Sequence, residues 1–143
     1  MSQSDANRMI ADAEAAVAAL AAEYVIYARD DLANLRRLYE AAAPVLANAD
    51  APVFCAQAAE MFSIVHNVKG QGGAFGYDLL TELGSSLCMR LRGREELTAE
   101  DAIALEAHLD AMDAILAGEL TGDGGSDGAA LLDGLGARLL REE

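Results

Sequence analysis

Apolar residues recur at helical spacing along nearly the whole chain, and period-2 alternation of apolar and polar residues is absent. From Asp5 to Ala43 there is no glycine or proline. The alanine-rich run over 11–22 differs from the bulkier stretch beginning at Tyr24. A break is therefore expected near 22–24, dividing an N-terminal helix over 5–21 from a second helix with Ile26, Leu32, Leu35 and Leu38 largely on one stripe. Pro44 disturbs that helix. A third is expected to open with Pro52 in its first turn and Asp50 or Ala51 near the N-cap. In it Phe54, Ala58, Met61, Val65, Val68 and Phe75 fall at alternating four- and three-residue steps, with Gly72 filling the remaining step. Leu80, Leu83, Leu87 and Leu91 mark a fourth helix that stops at Arg92 and Gly93. Thr98 with Asp101 forms a near capping box for a fifth, which carries Leu105, Leu109, Met112 and Leu116. A glycine- and aspartate-rich loop over 121–128 leads into a short last helix over 128–141. The expectation is an all-α chain with a single domain over 1–143. Its antiparallel four-helix bundle has a core over about 24–118, with the N-terminal helix and the short C-terminal helix as additions.

Composition narrows what such a chain can do. Of the 143 residues 53% are hydrophobic, which separates this acidic chain from disordered ones. Ten basic against 24 acidic residues leave a formal charge of −14, which argues against nucleic acid and anionic membranes as partners. No apolar run approaches the roughly 18 residues of a membrane span. Residues 1–12 hold no basic segment followed by an apolar stretch, so no secretory signal is expected. Two cysteines, Cys55 and Cys88, make neither a disulfide framework nor a zinc site and suit a reducing, cytoplasmic setting.

Candidate chemistry centres on His66. It follows the core position Val65 by about 100° of helical rotation, which puts it at the edge of the buried stripe. Lys69 and Gly70, three and four residues on, are its neighbours on the helix surface, and Gly73 is the next position on that face. Lys69 is the only lysine; the other nine basic residues are arginine. A neutral imidazole is a nucleophile near pH 7, and a cation one turn away offsets the charge of a phosphorylated ring. Open space around the ring suits in-line transfer to or from a partner. Taken alone, the glycine-rich run over 70–76 reads as a loop, because each interior helical glycine costs roughly 0.5–1 kcal/mol relative to alanine. It lacks a preceding strand and a Gly-Lys-Ser/Thr ending, so it is no nucleotide loop. His108 has no second ligand at useful spacing and reads as structural. The 123–134 segment has glycines where a calcium loop needs ligands and reads as a connector.

His66-Asn67-Val68-Lys69-Gly70, followed by Gly76, Leu80, Leu83 and Leu87, resembles the signature of histidine phosphotransfer (HPt) domains. The resemblance is specific over about 62–91 and extends in helix layout over about 24–116. It implies a four-helix bundle with a phosphorylatable histidine exposed in mid-helix, and a glycine-rich run that is largely helix, with Gly76 at the turn into the next helix. It assigns His66 as phosphate carrier, Lys69 to phosphoryl stabilisation and Gly70 to access for an incoming receiver domain of a hybrid histidine kinase or response regulator. Phe62, Gly73 and Arg90 are expected on the docking face, with Arg92 and Arg94 adding positive charge. The chain would need no cofactor or metal of its own, Mg²⁺ belonging to the receiver, and it would act as a monomer. Cys88 stands where many members carry a Glu or Gln that bonds the imidazole; Gln71, Ser85 and Arg90 are the candidate substitutes. Gly84 stands where a small residue such as cysteine is common.

Two other readings remain open. A dimerisation domain of a kinase-like phosphotransferase also uses a helical histidine. It favours an acidic residue directly after the histidine and a proline soon after, whereas Asn67 follows here without such a proline. The other reading is a non-catalytic helical interaction module.

Overall fold

A computed structural model describes residues 2–140. Helix dominates: α1 (Gln3–Ala47), α2 (Ala58–Gly72), α3 (Asp78–Leu91), α4 (Ala99–Ala117) and α5 (Gly125–Leu140). A two-stranded ladder, β1 (Val53–Phe54) and β2 (Glu96–Leu97), and a 3₁₀ turn over Gly73–Phe75 complete the regular structure. The chain is all-α in class. α1 packs against α2 and α4, α3 packs against the same two helices, and α5 lies on α4.

The expected break near 22–24 does not occur. α1 is one helix of 45 residues, opened by a capping box in which Ser2 Oγ accepts from the Asp5 amide and the Asp5 carboxylate accepts from the Ser2 amide. Alanine is the best helix former, so the change from small to bulky side chains at Tyr24 supplies no reason to stop. What changes there is burial: from Tyr24 onward Ala28, Leu32 and Leu35 are in the core, whereas residues 2–23 are almost wholly exposed. Ile26, expected on the inner stripe, is 61% exposed, and Tyr24 and Ala28 hold that face instead. Pro44 sits inside the last turn without ending the helix; the exposed Glu40 carbonyl can lose its helical partner to water.

The helix expected to start around Pro52 begins later, at Ala58. Val53 pairs with Leu97 and Phe54 with Glu96 in an antiparallel ladder, and the Cys55 amide donates to the Glu95 carbonyl at 2.8 Å. A valine followed by a phenylalanine favours extended backbone, and the pairing tethers β1 beside the fully buried Leu97. Phe54 is 68% exposed and lies off the core stripe to which the spacing assigned it. The rest of that stripe is as expected. Ala58, Met61, Val65, Val68 and Gly72 are buried and Phe75 is half-buried.

α3 buries Leu80, Leu83, Leu87 and Leu91 and ends at Arg92. α4 starts from the Thr98–Asp101 capping box. It is buried on most of its circumference, because α1, α3 and α5 cover different sides of it. α5 begins at Gly125, three residues before the expected start; position 141 of the expected range lies outside the described residues. A chain of ion pairs ties α5 to α4 and α1: Arg138 to Asp110 at 2.8 Å, then Arg36 to Asp110 at 3.0 Å and to Asp113 at 2.8 Å.

Candidate functional site

His66 lies in the middle of α2 and is exposed. The glycines after it do not break the helix. α2 continues through Gly72, the 3₁₀ turn follows, and Gly76 takes the left-handed conformation (φ +84°) that ends it, with the Tyr77 amide donating back to the Gly72 carbonyl at 2.9 Å. The loop expected from the local glycine count is therefore overturned, and the helical continuation implied by the resemblance is what the backbone follows.

The glycines divide into two groups by what a methyl group would meet. At Gly72 a Cβ would come within 3.1 Å of Thr81 Oγ1 and 3.2 Å of the Tyr77 carbonyl oxygen, so the start of α3 and the turn before it pack tightly on this glycine. At Gly84 a Cβ would stand 2.8 Å from Lys69 Cβ and 3.2 Å from Lys69 Cα, so α2 and α3 touch backbone to backbone beneath Lys69. At Gly70 nothing lies within 4 Å, and at Gly73 only Thr81 Oγ1 does, at 3.4 Å. Gly70 and Gly73 therefore leave a bare strip beside His66 that this chain's own packing barely uses.

Lys69 is fixed from below. Gly84 lets α3 approach it, and Thr81 Oγ1 donates to the Lys69 carbonyl at 3.1 Å. Its ammonium makes no salt bridge among the described residues. Phe62, one turn before His66, stacks its ring on the imidazole with centroids 5.9 Å apart and planes 21° from parallel. The Arg92 guanidinium sits 5.9 Å from the Phe62 ring centroid. Burial pushes the Cys88 thiol up, while the positive charges of Lys69 and Arg92 pull against it. Both cations therefore stand on the α3 side of the histidine.

The α1 side is acidic. Asn67, directly after His66, donates to Asp31 Oδ2 at 3.3 Å and accepts from Gln71 Nε2 at 3.4 Å. Burial pushes the Asp31 carboxyl up, the Asn67 hydrogen bond works against that, and neighbouring Asp30 adds to it. An open depression of about 400 Å³ lies here, with Phe62, Ile64, His66 and Asn67 in its lining and Asp31 and Glu60 at its border.

Of the sequence candidates, the fold brings His66, Lys69, Gly70, Gly73 and Phe62 onto one face. Arg90 is engaged elsewhere. It donates to Asp101 Oδ1 at 3.0 Å, and Arg94 donates to both oxygens of the same carboxylate, so of the expected arginine trio only Arg92 turns to Phe62. Burial raises the Asp101 carboxyl, but hydrogen bonds from Arg94, Thr98 and Arg90 outweigh it and hold the group below the usual carboxylate range. None of the three candidates for orienting the imidazole bonds it: Gln71 donates to Asn67, Arg90 to Asp101, and Ser85 makes no hydrogen bond to the ring. The observed neighbour of the ring is Phe62. Asp31 and Thr81 were missed. Both act across more than ten residues of sequence, and no local spacing reports such contacts.

The other candidates are structural. His108 is 2% exposed, its Nδ1 2.7 Å from the Ala104 carbonyl oxygen and its Nε2 3.0 Å from Ser86 Oγ; burial holds its pKa below the ordinary value. Both cysteines are buried and free. In the 121–128 segment the Asp123 carboxylate accepts from the Gly125 amide, which fits a turn. Among the described residues no group of three or more His, Cys, Asp or Glu side chains could hold a metal ion, and no helix is long and apolar enough to cross a membrane. No protein-family model, curated protein or solved structure matches the chain.

Proposed function

We propose that this chain is a histidine phosphotransfer protein that carries a phosphoryl group on His66 between receiver-domain aspartates. The observation that carries the reading is the unobstructed strip at His66: an exposed imidazole in mid-helix, Lys69 one turn on, and a Gly70 that no internal contact requires. In the forward step a ring nitrogen attacks the phosphorus of a receiver's aspartyl phosphate. A P–N bond forms as the P–O bond breaks, and the aspartate carboxylate leaves with the bonding pair. The reverse sequence delivers the group to a second receiver. Lys69 offsets the phosphoryl charge, Phe62 holds the ring plane, and Gly70 and Gly73 let the receiver backbone approach. Mg²⁺ comes with the receiver's acidic pocket, and phosphate reaches His66 from a protein donor in the cytoplasm, not from ATP.

The same reading takes α1 to α4 as an antiparallel four-helix bundle. Its support is the cyclic packing of α1 on α2, α2 on α3, α3 on α4 and α4 on α1. A relay protein needs this rigidity, because the histidine must meet the receiver's phosphorus in line.

The test is His66→Gln. Incubation with a phosphorylated receiver should leave acid-labile, base-stable phosphate on the unaltered chain and none on the variant, with the helical circular dichroism of both identical. Normal labelling of the variant would refute the assignment. Failure of the unaltered chain to label with any receiver panel would favour the non-catalytic module.

A further inference from the structure

The His66 ring is held without a hydrogen bond. Among the described residues no group bonds either of its nitrogens, and the polar side chains around it are spent elsewhere. Asn67 donates to Asp31, Gln71 to Asn67 and Arg90 to Asp101. What the ring does meet is aromatic. Phe62 lies four residues earlier on α2. Side chains at that spacing share a helix face and lean toward the N-terminus, which brings the imidazole back over the Phe62 turn. The centroids are 5.9 Å apart and the planes 21° from parallel, within the range of an offset aromatic stack. Phe62 is half-buried and packs against the core, so it offers the imidazole a fixed surface.

Phe62 has a second neighbour. The Arg92 guanidinium stands 5.9 Å from its ring centroid, within cation–π reach. α3 ends at Arg92, whose amide donates to the Cys88 carbonyl at 2.9 Å, so the backbone that carries the guanidinium is fixed. Arg90 and Arg94 are both paired with Asp101, whereas Arg92 forms no ion pair among the described residues. Its charge is left for the Phe62 ring.

We infer that Phe62 and Arg92 are positioning residues for His66, with Arg92 acting through the Phe62 ring. The inference rests on the proposed phosphotransfer function and deepens it. In-line transfer requires the lone pair of the attacking nitrogen, which lies in the ring plane, to point at phosphorus. A stacked neighbour restricts that plane and occupies neither nitrogen, so one attacks while the other keeps its proton. The restraint lies one turn before His66, and the bare Gly70 and Gly73 lie after it, so holding the ring does not close the open strip. The sequence places Phe62 on the docking face instead. The two roles differ in kinetics: loss of a docking residue raises the receiver concentration for half-maximal transfer, and loss of a positioning residue lowers the maximal rate.

The experiment has two arms. The first is NMR of the isolated chain, reading the His66 ring protons. The Phe62 ring current should displace these resonances from their positions in Phe62→Leu, and Phe62→Tyr should keep the displacement. Arg92→Gln should lose part of it and Arg92→Lys, which keeps a cation, should restore it. Phe62→Met, which keeps the bulk without the ring current, replaces Phe62→Leu if the latter loses its helical circular dichroism. The second arm is rapid-quench transfer from a phosphorylated receiver, followed to saturation. Phe62→Leu should lower the maximal rate by about 3- to 10-fold at an unchanged half-saturating concentration, with rescue by Phe62→Tyr. Arg92→Gln should lower it by about 2- to 5-fold, with rescue by Arg92→Lys. The double variant should be no slower than Phe62→Leu alone, because Arg92 then has no ring to act through. His66 resonances that do not move in Phe62→Leu would overturn the inference. So would an unchanged maximal rate with a raised half-saturating concentration, which returns Phe62 to docking. Losses that multiply in the double variant would overturn the route from Arg92 through Phe62. If the resonances move as expected but the unaltered chain accepts no phosphate, the proposed function fails, and with it the purpose assigned to the stack.

Discussion

Gly70 offers a test of whether a glycine serves the fold or, on the proposed function, a partner. Its Cβ would meet nothing within 4 Å, and it lies inside α2 with helical neighbours on both sides. Gly70→Ala should therefore stabilise the isolated chain, by about 0.5–1 kcal/mol, because alanine loses less backbone freedom in a helix. For a chain of this size that is a rise in Tm of roughly 2–4 °C. On the proposed function, the same methyl group stands where the receiver backbone would come against the helix beside His66. Overpacking a close contact costs about 1–3 kcal/mol, which is about 5- to 150-fold in the rate of transfer. The assay pairs thermal unfolding with rapid-quench phosphotransfer from a phosphorylated receiver. Gly72→Ala is the internal control, since it puts a Cβ 3.1 Å from Thr81 Oγ1 and 3.2 Å from the Tyr77 carbonyl oxygen and should destabilise. A Gly70→Ala chain that is more stable and transfers at the normal rate would refute the access argument. One that is less stable would show that the glycine serves the fold.

Gly84→Ala should cost about 1–3 kcal/mol in a denaturant titration and displace Lys69, since the new Cβ lies 2.8 Å from Lys69 Cβ; an unchanged midpoint would mean that the helices separate freely. Asp101→Asn removes the charge that Arg90, Arg94 and the Thr98 amide share, and should lower stability by about 2 kcal/mol by the same titration, with little effect on His66 labelling at a temperature where the variant is folded. Acid should destabilise the chain in two stages. The folded His108 pKa lies below its ordinary 6.5, so the unfolded chain binds that proton first and stability falls as pH drops below about 6.5. Asp101, held below 3.8, adds a second loss as pH falls below about 4. Unfolding free energies measured from pH 7 to 5 should decline in the unaltered chain and flatten in His108→Gln; equal slopes would remove His108 from the explanation.

Periodicity reported what is periodic. Leu80, Leu83, Leu87 and Leu91 share a face at three- and four-residue steps, and all four are buried. Thr98 and Asp101 cap α4 because a capping box is a contact three residues long. Features set by distant partners were invisible. Val53 and Phe54 sit in a short run with helical spacing, yet their partners are Glu96 and Leu97, more than 40 residues on. The inner face of α1 starts at Tyr24 because Phe75, 51 positions away, stacks on it at 4.8 Å. No change of residue type marks whether an alanine-rich stretch is bent back or extended. At the site, His66, Lys69 and Gly70 were legible because one helical turn joins them, whereas Asp31, Thr81 and Gly84 reach them from other helices.

The surroundings of His66 are therefore not free of carboxylates, although residues 62–74 of the sequence are. No carboxylate occurs over residues 62–74, but α1 fills that gap from one side with Asp31, and Glu60 borders the same depression. On the other side stand Lys69 and Arg92, the latter over Phe62. The imidazole thus lies on a boundary between an acidic flank and a basic one. On the proposed function, a receiver would bring an acidic pocket holding a divalent cation and a phosphoaspartate. Like charges opposed at close range cost more than a solvated rim contact, so the acidic walls of that pocket belong over Lys69 and Arg92. The Asp31 side is left for neutral or basic elements of the receiver. On that reading the net charge of −14 works against non-specific encounters with other acidic proteins, and the two cations on the α3 side of His66 favour approach of the receiver's acidic pocket from that side.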